Sequence, residues 1–303
     1  MNVFRTAAFI LAASAWLLGA ENPLSRLKSE RLVYGVMARR GLGFISLNLG
    51  KVTFTFRRED DGGEEFLVMK AHADGGAPGF PYEAVMVSRV RASDLKPVEF
   101  YTQRIRPRYK KRMLRFHDYG SEYLKHSHCE APTLCHNPAH LVERGGKKVH
   151  CPGCHNPAHY VWRLRARHRY DYERTVYDVL APVYILRGAA ARVGGPKQTV
   201  RILDKRDIFD VSFKAVAEAE ITVPAGTFQC LRLVPETVPV NEHAKSTTEF
   251  EGFFGLHGDV EVYADKQTHQ LVFVRGQVTL GATFDVEVAL LERAMEYLPE
   301  KGR

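Results

Sequence analysis

The hexapeptide Cys-His-Asn-Pro-Ala-His occurs twice, at Cys135 to His140 and again at Cys154 to His159. Cys129 and Cys151 stand just upstream of the two copies, so four of the chain's five cysteines fall in one segment. Thiolate and imidazole are the donors that zinc takes, with Zn–S about 2.3 Å in tetrahedral sites. A Gly145-Gly146 pair lies between the copies and is suited to a hairpin turn. Folding there sets Cys129 and Cys135 against Cys151 and Cys154. The spacing therefore predicts a structural Zn2+ site drawn from Cys129, Cys135, Cys151, Cys154, His136, His140, His155 and His159. Four thiolates close such a site. His140 and His159, at the same offset in each copy, either replace a cysteine or complete a second site. Asn-Pro after each Cys-His makes the tight turn that carries the backbone around a ligand.

Two other chemistries stay open at the same residues. Cys151-Pro152-Gly153-Cys154-His155 is the c-type haem attachment pattern. The first copy has Pro132 where a second attachment cysteine would stand, so thioether attachment does not explain the repeat. Disulfides would pair the four clustered cysteines in one of three ways, but they give no reason for the repeated histidines. A catalytic zinc needs an open position and a nearby base. Glu130 and Glu143 have no fixed spacing to a ligand, and the chain holds no His-Glu-x-x-His, no Gly-rich phosphate loop and no Gly-x-Ser-x-Gly elbow. The expectation is a protein that is not an enzyme.

The elements that must position this segment read as strands. Runs of alternating, β-branched and aromatic residues are bounded by Gly, Pro and Asp turns. They cover 31–37, 45–57, 65–72, 82–91, 98–105 and 109–117, and resume after the cysteines at 162–172. The second half continues at 209–223, 227–234, 247–254 and 260–264, and ends in one long strand over 270–291 bent at Gly276 and Gly281. Asp60-Asp61-Gly62-Gly63 has too few ligands for a calcium loop and reads as a hairpin turn. One interior stretch, Val176 to Leu186, has helical spacing, with Pro182 kinking or cutting it and Gly188 stopping it. Two places look alike: both Ser93-Asp94-Leu95-Lys96-Pro97-Val98-Glu99-Phe100 and Ala264-Asp265 through Leu271-Val272-Phe273 run from an Asp turn into a strand. Their likeness suggests two similar β halves in one curved sheet.

Composition bounds the rest. Residues 1–20 read as a signal peptide, with Arg5, the apolar run Ala7 to Gly19 and small residues ahead of Glu21. That run is shorter than the roughly 20 residues a membrane span needs, and the mature chain shows no transmembrane span. Residues 21–303 then form a single β-rich domain with a Cys/His-rich insertion at 126–160. Aromatics at 11% and hydrophobics at 45% exclude a disordered chain. The net charge of +8 suggests anionic partners, and an exported protein seldom meets nucleic acid. Basic residues concentrate in Arg104 to Arg115, for which charged outer faces of two strands are the simple account. Cys230, in an alternating strand, reads as a buried thiol acting as a small hydrophobe.

The order of several motifs resembles the domain-of-unknown-function 3108 family of exported bacterial envelope proteins. They are Glu30-Arg31-Leu32-Val33-Tyr34-Gly35-Val36, Gly50-Lys51-Val52-Thr53 and Asp94 to Phe100. The helix Asp178 to Arg187, then Val223-Pro224-Ala225-Gly226-Thr227-Phe228, follow, and Val262-Tyr263-Ala264-Asp265 with Leu271-Val272-Phe273 close the series. The resemblance implies a curved antiparallel sheet or open barrel-like fold, similar to the periplasmic lipoprotein carriers, around a short helix. It brings no catalytic residues and does not account for the Cys/His insertion.

The functional expectation is an exported protein of the periplasm or cell envelope that binds a lipid or another apolar or anionic envelope component. Such a carrier needs an apolar concavity of about 300–1,000 Å³. The alternatives are an interaction module, in which the stapled hairpin presents Tyr160, Trp162 and nearby arginines to a partner, and a c-type haem protein.

Overall fold

The computed structural model describes residues 27–40, 45–77, 80–106, 110–117, 120–128, 141–144, 147–150, 160–169, 175–185, 187, 192–204, 207–240, 256–279 and 283–297. These are almost entirely β. The first half holds β1 (Leu27–Arg40), β2 (Ile45–Asp61), β3 (Glu64–Ala77), β4 (Phe80–Arg91), β5 (Pro97–Arg106) and β6 (Lys110–His117). Next come β7 (Gly120–His128), a small hairpin of β8 (Leu141–Arg144) and β9 (Lys147–His150), β10 (Tyr160–Arg169) and β11 (Val176–Tyr177). After the helix α1 (Pro182–Ile185) the chain forms β12 (Gln198–Asp204), β13 (Asp207–Val223), β14 (Gly226–Pro239), β15 (His257–Asp265), β16 (Leu271–Thr279) and β17 (Thr283–Tyr297).

All but β8 and β9 join one 15-stranded sheet in the order β10-β7-β6-β5-β4-β3-β2-β1-β17-β16-β15-β14-β13-β12-β11. The ladders are antiparallel except the short parallel pair β11–β12. Laid flat at about 4.8 Å per strand the sheet would be roughly 67 Å wide. The chain, however, crosses from one edge to the other in the seven residue steps from Arg169 to Val176. Seven steps span at most about 25 Å. The sheet therefore curls until its edges approach, an open barrel.

The two halves repeat one another in detail. β2 and β13 each have 17 residues, and β3 and β14 each have 14. The turns Arg91–Lys96 and Asp265–Gln270 share the same backbone scheme. Arg91 N donates to Lys96 O and Leu95 N to Arg91 O; likewise Asp265 N donates to Gln270 O and His269 N to Asp265 O. In each turn the fifth residue takes a left-handed conformation, Leu95 at φ 57° and His269 at φ 53°. Even the link to the neighbouring strand recurs, Ala92 N to Glu65 O and Lys266 N to Gln229 O. The sequence likeness between these places is thus real, although it lies in the backbone rather than in the aspartates, which sit at different turn positions.

The repeat explains why the sheet is open. β1, the first strand of one half, pairs with β17, the last of the other, from Leu27↔Tyr297 to Arg39↔Asp285. The equivalent second seam would join β6 to β12. There the chain instead inserts β7, the Cys/His segment, β10, α1 and β11, with β7 on β6 and β11 on β12.

Alternation sets the two faces. Leu32, Tyr34, Val52, Phe54, Phe56, Met69, Val90, Phe100 and Leu114 are buried on the inner face and form one core with Leu180, Ala181 and Tyr184 around α1. Two expected elements differ from the structure. Among the described residues of the stretch expected to be helical, only Pro182–Ile185 is α-helix, with Val176–Tyr177 in β11. Pro182 is the first helical residue, where its missing N–H costs nothing. The strand expected over 270–291 is two, β16 and β17, bonded antiparallel from Phe273↔Ala289 to Thr279↔Thr283. The strand expected over 247–254 lies outside the described residues.

Candidate functional site

The cysteine and histidine segment sits between two ladders that the structure does show. β7 and β10 pair in register up to His128↔Tyr160, and Cys129 and His159 are the next residues along each strand. β8 and β9 pair from Arg144↔Lys147 to Leu141↔His150, with His140 and Cys151 the next residues beyond that last pair. The antiparallel pairing expected on either side of Gly145-Gly146 is present, and those two glycines lie outside the described residues. The chain enters and leaves both Cys/His stretches at paired positions, which sets the two copies of the hexapeptide between the same pair of ladders. Cys129, Cys135, His136, His140, Cys151, Cys154, His155 and His159 themselves lie outside the described residues. Among the described residues no group of three or more His, Cys, Asp or Glu is placed to hold a metal.

A polar cluster around α1 packs on the inner face of the sheet, against β1, β2, β4 and the β15–β16 turn. Arg187 donates through both terminal nitrogens to Glu30 on β1, at 2.6 and 2.9 Å, with side-chain exposures of 6% and 0%. Burial works against the Arg187 charge, but the hydrogen bonds and charge of Glu30 more than offset it, so its pKa is raised. His269, in the β15–β16 turn, has Nδ1 2.7 Å from Arg187 O. Tyr34 on β1 donates to Leu271 O at 2.7 Å. Tyr184 stacks on Phe56 with ring centroids 5.3 Å apart, and burial followed by the Glu30 charge pushes its hydroxyl pKa far up.

Asp178 anchors the other end of α1. Its Oδ1 accepts from Leu180 N at 2.8 Å and Ala181 N at 3.0 Å, while Oδ2 accepts from Ser88 on β4 at 2.6 Å. Burial pushes its pKa up to about 6, and the hydrogen bonds from Ser88, Ala181 and Leu180 oppose that rise without cancelling it. The motifs Glu30-Arg31, Asp178 to Arg187, Ala264-Asp265 and Leu271 therefore meet at one place. These contacts hold the helix against the inner face of the sheet.

A groove of about 520 Å³ lies on the outer face, lined by Arg57, Asp61, Val87, Arg89 and Tyr101 among others. Arg57 pairs with Glu59 and Arg89 with Asp61, and Asp60 and Glu99 leave the lining net acidic. Cys230 is fully buried and free, as expected, and burial followed by the Asp265 charge pushes its thiol up to about 11. Sequence reasoning did not find the Glu30–Arg187 pair, whose partners are 157 residues apart with no local signal. It also left out β7, which brings the Arg104 to Arg115 region beside the arginines of β10.

These ladders define the class directly: a mainly β protein with an open, barrel-like antiparallel sheet. No family model and no curated protein matches the chain, so the resemblance to the 3108 family rests on the order of its motifs. Among solved structures, a β-barrel-like protein of the domain of unknown function DUF1849 from Brucella abortus is similar over 89% of this chain and 99% of its own, at 7% identity and a TM-score of 0.49. A Bacteroides fragilis protein with a YmcC-like fold is similar over 88% of this chain and 96% of its own, at 11% identity and a TM-score of 0.31. A Parabacteroides distasonis protein assigned as a lipoprotein aligns over 88% and 95%, at 10% identity and a TM-score of 0.28. Likeness at this level carries no statement about ligand or activity. No helix of the described residues is long and apolar enough to cross a membrane.

Proposed function

We propose that the chain is a non-enzymatic exported envelope protein whose open barrel is a scaffold for a zinc-stapled hairpin at its second seam. One observation carries this reading: the β7–β10 and β8–β9 ladders bracket both copies of Cys-His-Asn-Pro-Ala-His at paired positions. Structural zinc sites built from four cysteines, or from three with one histidine, take their ligands from adjoining chain segments, and the pairing of the strands that flank the two copies supports such a site. The ligands are drawn from Cys129, Cys135, Cys151 and Cys154 with His136, His140, His155 and His159. The ion's role is structural: it fixes an arm that projects beside Tyr160 and Trp162 of β10 toward a partner. Export rests on the signal-like residues 1–20.

Carriage of an apolar ligand within the sheet has less support. The inner face around α1 is filled by Phe56, Tyr184 and their neighbours, and the outer groove is lined by charged groups with a net acidic balance. An anionic partner fits the basic balance better.

The test is to express the protein with its signal in an export-competent host and purify it without chelator. Bound metal is then measured by mass spectrometry, with an absorbance scan and a thiol count on the same sample. About one zinc per chain without a Soret band is the expected result. A Soret band shifts the assignment to haem at Cys151, Cys154 and His155. Metal-free protein with the four clustered cysteines oxidised overturns zinc in favour of disulfides.

A further inference from the structure

The strand order gathers the chain's positive charge at one end of the sheet. β5, β6, β7 and β10 are consecutive neighbours at the β10 edge. Together they carry eleven Lys and Arg against only Glu99 and Glu122, a local net of +9. The whole chain is +8, so everything else is close to neutral. In the sequence this charge is split between Arg104 to Arg115 and the alternating arginines 163, 165, 167 and 169; only the β7 bridge unites them.

The register makes the gathering more pointed. Arg112 is directly opposite Lys125, and Lys125 directly opposite Arg163, a row of three cations across adjacent strands. Like charges in facing positions destabilise a sheet. The Nε of the half-buried Arg112 is shielded from solvent and has no hydrogen-bond partner among the described residues. One register step away, and so on the opposite face of the sheet, a second row, Tyr101↔Met113↔Leu124↔Leu164, runs apolar across the same four strands. It ends at the sheet edge with Leu164 44% exposed, and the Lys111 ammonium lies 5.1 Å from the Tyr101 ring centroid. Arg165, the extra residue of a bulge, and Arg167 are exposed beside Leu164.

Net positive charge around an exposed apolar side chain at a sheet edge is a combination that holds a protein on an anionic lipid surface, where charge attracts and apolar groups enter the interface. We propose that the β5–β6–β7–β10 end of the sheet docks on a bilayer rich in anionic phospholipid. The choice of lipid over nucleic acid rests on the export reading; the docking itself does not depend on whether the Cys/His segment binds metal.

The mature protein is sedimented with vesicles of phosphatidylcholine alone or of phosphatidylcholine with phosphatidylglycerol, at low and high salt. Binding should require phosphatidylglycerol and weaken as salt rises. Arg165→Glu with Arg167→Glu should lower affinity for the anionic vesicles by at least about tenfold. Leu164→Asp should weaken it at high salt as well, when charge is screened. Lys51→Glu, on β2 near the middle of the sheet, should leave binding unchanged. Equal binding to both vesicle types overturns the proposal. So does full binding by the double arginine variant, or tight binding to heparin or DNA with none to vesicles.

Discussion

Glu30→Gln tests whether the buried ion pair holds α1 against the inner face of β1. The substitution keeps the size of the side chain and removes the charge that Arg187 faces at 2.6 and 2.9 Å. Arg187 is then a buried cation with no counter-charge, because its guanidinium is only 6% exposed. Removing one partner of such a pair costs about 3–5 kcal/mol. For a chain of this size, at about 2 °C per kcal/mol, the melting temperature should fall by roughly 6–10 °C. Lys28→Ala supplies the control on the same strand. Its pair with Glu296 is more than half exposed on both sides and should be worth at most about 1 kcal/mol. Glu30→Leu with Arg187→Met replaces the pair by apolar groups and should recover most of the loss. Urea unfolding followed by circular dichroism reads all four proteins. If Glu30→Gln stays within about 1 kcal/mol of the parent, or the double variant is no better than the single one, the pair does not anchor the helix.

Three further outcomes follow from other buried groups. Asp178 has its folded-state pKa raised to about 6, so the native protein keeps a proton that the unfolded chain has lost between about pH 4 and 6. Its contribution is fully present below about pH 4 and declines as pH rises through 6, by on the order of 3 kcal/mol; urea melts should show Asp178→Asn gaining on the parent over that interval, and parallel pH profiles would refute the assignment. Gly50 has φ +115°, and a Cβ there would run into Asp74 O and Gly75 Cα on β3. Gly50→Ala should therefore cost clearly more, by about 1–3 kcal/mol, than Gly62→Ala in the open β2–β3 turn. Cys230 should resist a thiol reagent at neutral pH until the protein is unfolded, and Cys230→Ser should lower stability by about 1–3 kcal/mol by burying a hydroxyl.

Strands with one apolar face were legible in the sequence because alternation and burial coincide. Val52, Phe54 and Phe56 are buried while Lys51 and Arg57 are exposed. The Gly62-Gly63 turn was legible for a related reason, since glycine accepts the backbone a tight hairpin demands. β7 was not, because its Ser121, Glu122, Lys125 and His126 break the alternation on both faces. Val176 to Leu186 misled because apolar residues three and four apart also suit a strand, a capped turn and one helical turn packed in a core. The long final strand was divided because Gly281 lies in the connection between β16 and β17 rather than at a bend. Of the candidate site, the hairpin was readable and its frame was not: which strand lies beside β10 is decided by tertiary pairing. The same holds for the cationic end, whose two sequence clusters are brought together by β7.

The β1–β17 ladder governs when this protein is able to fold. Every other pairing in the main sheet joins strands close in sequence, or strands separated only by the Cys/His segment. Leu27 and Tyr297, by contrast, meet across 270 residues. Closing a loop of that length costs roughly 5 kcal/mol in chain entropy before any contact is gained. Until the last described strand has been made, β1 has a bare edge at what will become the centre of the sheet. A partly synthesised chain therefore carries an open hydrogen-bonding edge that the finished protein never exposes, the kind that recruits other chains. A chaperone that keeps β1 unpaired through synthesis and translocation would protect the protein during that interval, and truncations lacking β17 should aggregate rather than persist as a stable half-barrel.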